Sequence, residues 1–166
     1  MTTTERTLIL LRHAKSDWSG SEADIDRPLA DRGRAQASLA GRWFAGNAGR
    51  IDLAIVSPAQ RARETWELVS AEFAQPPLLR VDERVYAASA ERLLDVVRDV
   101  PDGVRTVVLV GHNPGMEALA SSLAGQDVIL RTAGIAELAV ERPWRELDAS
   151  SAALRAAGRA NGHDLT

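Results

Sequence analysis

The stretch TLILLRHAKS, Thr7–Ser16, joins an apolar run to a cluster of cations. The run Leu8–Leu11 is short and continuous, a pattern typical of a strand that is buried on both faces of a sheet. Arg12, His13 and Lys15 follow it closely. In open α/β sheets, ligands bind beyond the carboxyl ends of such strands, so these side chains are expected at a site. Their positive charge predicts that this site binds an anion.

The composition is that of an ordinary globular protein. The chain has 166 residues, of which 45% are hydrophobic and 26% charged, enough to bury one core. We therefore expect a single domain over residues 1–166. The formal net charge of −3 gives no reason to expect binding to nucleic acid or to a membrane. The cations after the first strand are therefore a local feature. We expect the protein to be a monomer.

The sequence contains no cysteine, which excludes disulfides, thiolate metal sites and cysteine nucleophiles. The segment Met1–Arg6 is short and polar and lacks the apolar region of a signal peptide. No apolar run approaches the length of a transmembrane helix. The sequence therefore predicts a soluble, cytoplasmic protein.

A second predicted strand also ends in a cation. Asp52–Val56 has the apolar character of a buried strand. Ser57 and Gln60 then predict the start of a helix, with Ser57 as its N-cap and Gln60 completing a capping box. Arg61 lies in the first turn of this helix. We expect it at the same edge of the sheet as the first cluster.

A third junction repeats the layout of the first. Arg105–Gly111, RTVVLVG, is the clearest buried strand in the chain, and His112 follows it directly. The three junctions together are expected to bring Arg12, His13 and Arg61 to one edge of the sheet with His112. Two of the three histidines of the sequence therefore belong to one set.

The remaining segments complete an alternation of strands and helices. We predict further helices over Ala30–Gly46, after Ser89, after Gly115 and within Trp144–Ala157, further strands at Leu78–Val81 and within Ile135–Val140, and a frayed tail over Gly158–Thr166. Strands that alternate with helices predict an α/β fold. The expected architecture is a three-layer α/β/α sandwich with a largely parallel central sheet.

The gathered side chains suit phosphoryl transfer. Arginine offers a planar fork of donors that matches phosphate oxygens and does not lose its charge. A neutral imidazole near its ordinary pKa can attack phosphorus and form a covalent phosphohistidine. Two histidines without supporting carboxylates make a poor zinc site, and the sequence has no Walker loop. The sequence therefore predicts no metal and no cofactor, with arginine neutralising charge. His163, near the C-terminus, is assigned no role.

Three motifs follow one another along the chain: Arg12-His13-Ala14, then Ser57-x-x-x-Arg61-x-x-x-Thr65, then Gly111-His112-Asn113-Pro114. In combination they resemble the histidine phosphatase superfamily, which has the phosphoglycerate mutase-like fold. The runs LLRHAKSDW, PLADRGRAQA and VGHNPG are most similar to its small SixA-type phosphohistidine phosphatase branch. The resemblance covers about residues 8–124. It implies that His13 is the nucleophile and that Arg12, Arg61 and His112 hold the phosphoryl group.

Three positions leave parts of this interpretation open. Ala14 stands where the superfamily usually has glycine, a change that the SixA-like branch often shows. Larger members use an acidic proton donor in a context like Asn-Glu-Arg-x-Tyr, and Asp82–Tyr86 (DERVY) is similar to it. Glu83 is therefore either a catalytic proton donor or a solvated loop carboxylate. Trp18, in the polar loop Asp17–Pro28, either covers an edge of the core or faces the substrate.

The resemblance implies a metal-independent phosphatase, a phosphoric monoester hydrolase that acts through a phosphohistidine on His13. A chain of 166 residues has little material for a lid, and an open pocket suits phosphohistidine presented by another protein. A small-molecule phosphomonoesterase with Glu83 as general acid is the alternative. A non-catalytic phosphoprotein-binding module is a third hypothesis. Lys15 is expected to add positive potential at the rim or to steer the substrate.

Overall fold

The computed structural model describes residues 5–161 and 164–166. Within these ranges the strands are β1 (Arg6–Arg12), β2 (Leu53–Val56), β3 (Leu78–Val81), β4 (Thr106–Gly111), β5 (Gly134–Val140) and β6 (Ala152–Arg159). The helices are α1 (Asp31–Asn47), α2 (Gln60–Ser70), α3 (Ala90–Arg98) and α4 (Gly115–Ala124). Short 3₁₀ turns occur at Asp24–Asp26, Glu83–Val85 and Trp144–Glu146. No helix in the described ranges is both long enough and apolar enough to cross a membrane.

The sheet is mixed and mostly parallel, with the strand order β3-β2-β4-β1-β5-β6. β1 pairs in parallel with β4, and β2 pairs in parallel with both β3 and β4. β5 is antiparallel to its neighbours β1 and β6. The predicted α/β class and the largely parallel sheet are confirmed. Because β1 and β4 are adjacent and parallel, Arg12 lies beside Gly111 at one edge of the sheet.

The apolar run of β1 is divided between two cores. Ile9 and Leu11 pack with α1 and α2, whereas Leu8 and Leu10 pack with α3 and α4. All four side chains are completely buried. Successive residues of a strand point to opposite faces, so a run without polar residues requires cover on both sides. The helices supply that cover, which gives the three layers that the sequence predicts.

The C-terminal helix predicted within Trp144–Ala157 is wrong. The segment forms the short turn Trp144–Glu146 and then the strand β6, which pairs antiparallel with β5. Alanine-rich sequence favours a helix locally, but this preference is weak and tertiary pairing overrides it. Along β6 half-buried and exposed residues alternate, as in a strand with one covered face.

The described residues near the C-terminus also differ from the predicted frayed tail. Backbone hydrogen bonds join Arg159 and Thr166 in both directions, at 3.0 and 2.9 Å. Gly158 has a φ of +146°, and a Cβ there would meet the carbonyl oxygen of Thr166 at 2.5 Å. The close return of the chain therefore requires glycine at this position. His163 lies outside the described residues.

Candidate active site

Four of the predicted site residues line one cavity at the carboxyl end of the parallel strands. Arg12 ends β1 and His13 follows it, Arg61 lies in the first turn of α2, and His112 follows β4. All of them border a cavity of about 220 Å³. The two imidazole rings have centroids 5.1 Å apart. The structure therefore brings the predicted set together from three distant parts of the chain.

A larger cavity, of about 590 Å³, lies away from these residues. It is bordered by the end of α1, the segment after α2 and the start of β3, with Phe44, Phe73 and Leu78 among its lining residues. Its charged residues Arg50 and Asp52 form an ion pair with each other at 3.2 Å. None of the predicted site residues borders it. The smaller cavity is therefore the candidate active site.

His13 is a neutral imidazole of defined tautomer. Its Nδ1 lies 2.8 Å from the carbonyl oxygen of Ala14, which can only accept a hydrogen bond. Nδ1 therefore carries the proton, and the lone pair is on Nε2. Burial first, and then the charges of Arg61, Arg12 and Arg27, lower the pKa of His13 to about 4, against the raising effect of the hydrogen bond to Ala14. The ring is thus an uncharged potential nucleophile at neutral pH.

His112 is neutral too, and Ser57 fixes its tautomer. Burial is the main cause that lowers the pKa of His112 to about 3. The hydroxyl oxygen of Ser57 is 2.7 Å from Nε2 of His112 and also accepts from the backbone N–H of Ala59. Ser57 is completely buried, so its hydroxyl hydrogen needs an acceptor within the protein. Nε2 of His112 is the acceptor within its reach. Ser57 therefore donates to Nε2, which leaves the proton of His112 on Nδ1.

This role of Ser57 corrects the sequence prediction of a helix N-cap. α2 begins at Gln60 with Ala59 as its N-cap, and no side chain caps that end. The Ser57 side chain is instead engaged with His112 and with the turn that precedes the helix. A capping motif and a site motif use the same residue types, so the sequence alone does not distinguish them.

Three buried N–H groups in this set have no hydrogen-bond partner among the described residues: Nε of Arg12, Nε of Arg61 and Nδ1 of His112. Both arginines are nevertheless held in place. Arg12 donates to the carbonyl oxygen of Leu130 at 3.1 Å, and Arg61 donates to the backbone oxygen of Asp24 at 2.7 Å. A buried donor without a partner costs about 1–3 kcal/mol. The cavity that these side chains line is rich in cationic groups and N–H donors, which makes it suited to an oxyanion such as a phosphoryl group.

The comparisons with known proteins agree with this geometry. A family model for the histidine phosphatase superfamily (branch 1) matches residues 8–85. A protein of Mycobacterium tuberculosis described as uncharacterised is 37% identical over 155 residues, covering 87% of this chain and 96% of that one. A crystal structure from Agrobacterium tumefaciens, with the provisional name phosphohistidine phosphatase SixA, is 33% identical. It has a TM-score of 0.74 and covers 80% of this chain and 91% of that chain. This chain belongs to the histidine phosphatase superfamily, in its SixA-type branch.

A second SixA structure covers nearly the whole fold. The protein from Nakamurella multipartitia, also provisionally named phosphohistidine phosphatase SixA, is 26% identical with a TM-score of 0.85. It covers 95% of this chain and 97% of that chain. The likeness therefore extends over β5 and β6, beyond the residues that the family model matches. Membership of the superfamily supports phosphatase activity.

Thr65, the last residue of the second superfamily motif, links the loop of the predicted nucleophile to α2. Its hydroxyl oxygen accepts from the backbone N–H of Ala14 at 2.9 Å, and the hydroxyl donates to the carbonyl oxygen of Arg61 at 2.7 Å. Thr65 and Ala14 are completely buried. The alanine that replaces the usual glycine is therefore accommodated, and Thr65 couples the position of His13 to that of Arg61.

Asp24 and Tyr86 contact the site, although the sequence indicated no role for Asp24 and pointed to Tyr86 only as part of the DERVY segment. The Asp24 carboxylate accepts from the Tyr86 hydroxyl at 2.5 Å and from Arg61 at 3.1 Å. These hydrogen bonds, that of Tyr86 first, lower the pKa of Asp24 to about 2. The Tyr86 ring also contacts the His112 ring, with centroids 5.6 Å apart. Asp24 lies in an irregular loop without periodicity, so the sequence carried no signal that it faces the site.

Arg27 and Trp18 form the outer part of the cavity. Arg27 is buried and donates to the hydroxyl of Ser16 at 2.6 Å. Its guanidinium lies 3.5 Å from the centroid of the Trp18 ring, a cation–π contact. Trp18 is 69% exposed and borders the cavity. The interpretation that it covers a core edge is therefore wrong, and its contact with a substrate stays a prediction.

Glu83 lies outside this arrangement. It begins the short turn Glu83–Val85, is exposed, and is absent from the lining of the cavity. Among the described residues, no carboxylate side chain borders the cavity. Within the described ranges, no group of three or more histidine, aspartate or glutamate side chains could hold a metal ion. The role of Glu83 as proton donor stays a prediction, whereas Lys15 does border the rim.

The pKa values of the histidines give a direct test of the site. Both His13 and His112 are expected to remain neutral Nδ1–H tautomers between about pH 5.5 and 8, because both pKa values lie well below the ordinary 6.5. The ¹⁵N chemical shifts of histidine-labelled protein report protonation and tautomer together. Ser57→Ala is expected to disturb the His112 signals and to leave those of His13 unchanged. A His13 ring that titrates near pH 6.5, or that carries its proton on Nε2, would contradict the assignment.

Proposed function

We propose that the protein is a phosphatase that removes the phosphoryl group from phosphohistidine in another protein, through a covalent intermediate on Nε2 of His13. One observation carries the proposal. The neutral His13, whose Nε2 carries the lone pair, lines one small cavity together with Arg12, Arg61 and His112. Nucleophile and oxyanion donors within one small site are the requirement for phosphoryl transfer through a covalent enzyme intermediate.

In the first step the lone pair of Nε2 attacks phosphorus, and the bond from phosphorus to the substrate nitrogen breaks. The electron pair of that bond returns to the departing imidazole, which takes a proton from solvent. Arg12 and Arg61 bind the phosphoryl oxygens, and Nδ1–H of His112 donates a further hydrogen bond. Because Nδ1 of His13 donates to the carbonyl oxygen of Ala14, this hydrogen bond stabilises the positive charge of the phosphorylated ring.

In the second step water attacks the phosphohistidine. The bond between phosphorus and Nε2 breaks, its electron pair returns to the ring, and phosphate leaves with the oxygen of the water. The same arginines and His112 stabilise the charge in both steps, because the phosphoryl group stays in place while its partners change. Preorganised donors of this kind are the largest source of rate enhancement in many such sites.

No carboxylate among residues 5–161 and 164–166 borders the cavity, which supports phosphohistidine as the substrate. An imidazole leaves more readily than an alkoxide and needs less help from an acid. Asp24, which accepts a hydrogen bond from Arg61, has its pKa lowered to about 2 and is therefore ionised. The SixA proteins that this chain resembles are themselves named phosphohistidine phosphatases. The exposed Trp18 at the rim leaves access for a side chain presented by another protein.

A substrate comparison with wild type and Glu83→Gln tests the proposal against a small-molecule phosphomonoesterase. A phosphohistidine protein is expected to be dephosphorylated fastest, ahead of a phosphoserine peptide and sugar phosphates, and Glu83→Gln is expected to change this rate less than twofold. If Glu83 were the general acid of a phosphomonoesterase, the substitution would lower turnover of an alkyl phosphate by about 10²–10⁴-fold.

Two outcomes of this comparison would contradict the proposal. Faster hydrolysis of a sugar phosphate, together with a large loss in Glu83→Gln, would favour the phosphomonoesterase. Release of phosphate from every substrate no faster than in buffer would favour a phosphoprotein-binding module. Glu91→Gln, an exposed glutamate in the first turn of α3, is the matched control for loss of a carboxylate.

A further inference from the structure

A second cavity, of about 410 Å³, adjoins the candidate active site. Both cavities are bordered by Arg12, Lys15, Asn113 and Thr132. The second continues from this shared border between the start of α1 and the loop that precedes β5. We call it the arginine groove, and its cationic lining residues are Arg12, Lys15, Arg32, Arg131 and Arg159.

The charges of the arginine groove are not balanced. Its lining includes five cations and one carboxylate, Glu117. The Glu117 carboxylate accepts from the backbone N–H of Leu130 at 3.0 Å, so it braces the loop. Among the described residues, none of the five cations forms an ion pair with a carboxylate within 4.0 Å. This concentration of positive charge stands out on a protein with a net charge of −3.

The fold holds these like charges together. Arg159, on β6, donates to the carbonyl oxygen and the hydroxyl of Thr132 at 2.9 and 3.0 Å. Burial first, and then the charges of Arg131 and Arg32, lower the pKa of Arg159. Like charges held close together repel one another, and a bound anion would remove that cost. The groove is therefore a built feature of the fold.

We propose that the arginine groove binds a second oxyanion carried by the same substrate, next to the phosphoryl group that is removed. This inference rests on the proposed function, because it requires the phosphoryl group that is removed to occupy the candidate active site. The shared border of the two cavities then places the second anionic group of the same molecule beside it. Arg12 reaches both cavities and joins the two sites. The oxyanion is a carboxylate or a phosphate, since arginine forks bind both with paired hydrogen bonds.

Pairs of substrates that differ by one anionic group test the groove. One pair is a phosphohistidine peptide flanked by glutamates and the same peptide flanked by glutamines. The other pair is a bisphosphate and the matching monophosphate. Wild type is expected to show a kcat/KM about tenfold higher for the more anionic member of one pair. A preference within the peptides identifies an acidic protein segment, and one within the phosphates identifies a small bisphosphate.

The double variant Arg32→Gln/Arg131→Gln is expected to reduce this preference by about tenfold, because each exposed arginine contributes a few-fold. Both side chains are exposed, so the variant keeps the fold. Arg92→Gln removes an exposed arginine on α3, away from the groove, and is expected to leave the preference unchanged. Salt is expected to weaken the preference as well, since screening acts on exposed charges. Equal kcat/KM within both pairs, or a preference that survives the double variant, would overturn the proposal.

A binding measurement separates the groove from the catalytic proposal. Calorimetric titration with pyrophosphate is expected to give an affinity about tenfold higher for wild type than for the double variant. Inorganic phosphate, which carries one anionic group, is the reference ligand with which the pyrophosphate affinities are compared. Equal pyrophosphate affinities would refute the groove even if every substrate is hydrolysed. If no substrate is hydrolysed, the proposed function fails, and the calorimetric difference still decides whether the groove binds a second anion.

Discussion

Replacement of His13 by alanine is expected to lower kcat by about 10⁵–10⁶-fold, the scale of losing a catalytic nucleophile. His112 cannot take its place, because the proton of His112 lies on Nδ1 and its Nε2 accepts from Ser57. Incubation of the wild type with a labelled phosphodonor is expected to give a phosphoenzyme that is labile in acid and stable in base. His13→Ala is expected to take up no label.

The control for this experiment is His163→Ala, which removes a histidine that the proposal does not use. It is expected to retain both the label and the turnover. Thermal unfolding of each variant shows whether the protein remains folded, which matters because His13 is buried. Undiminished label in His13→Ala would refute the assignment of the nucleophile. Loss of label in His163→Ala alone would place the intermediate elsewhere.

Replacement of Arg61 by glutamine is expected to lower kcat/KM by about 10³-fold, the effect of removing a charged donor from a phosphoryl-transfer site. Arg61 combines two tasks. Two of its nitrogens hold Asp24 at 2.7 and 3.1 Å, while its Nε has no partner among the described residues. Glutamine can hydrogen-bond to one oxygen, but it carries no positive charge to balance a phosphoryl group.

The matched control is Arg63→Gln, two residues further along α2. Arg63 is exposed and donates to the carbonyl oxygen of Pro58, away from the cavity. It is expected to keep kcat/KM within about twofold of the wild type, since surface substitutions of this kind have small effects. A loss below about tenfold in Arg61→Gln would show that Arg12 and His112 are sufficient to bind the phosphoryl group.

The part of the fold that carries the site could be predicted from the sequence. Unbroken apolar runs marked β1 and β4 because strands buried on both faces leave no polar position. Parallel strands deliver their carboxyl ends to one edge, so the position of His13 relative to His112 followed from topology alone. The motif order then predicted the superfamily, and both sequence and structure comparisons confirm it.

Other features depended on contacts between distant segments, which no local pattern records. The β6 segment has helical propensity, and only its pairing with β5 makes it a strand. That pairing also brings Arg159 to the arginine groove. Asp24 and Arg27 act from an irregular loop, where the direction of a side chain follows from the path of the chain and not from periodicity. Ser57 was predicted to cap a helix because a serine hydroxyl can accept from backbone N–H groups at a helix start. The same hydroxyl can orient an imidazole, and the sequence does not distinguish the two roles.

Because Trp18 is exposed, the intrinsic tryptophan fluorescence of the protein can report on the candidate active site. The sequence has four tryptophans. Trp43, Trp66 and Trp144 are buried, at 4%, 3% and 0% exposure, whereas Trp18 is 69% exposed beside the Arg27 guanidinium. A soluble collisional quencher will therefore reach essentially one indole, the one at the entrance to the cavity. Occupancy of the site can then be followed by fluorescence in the unlabelled protein, without a chromogenic substrate.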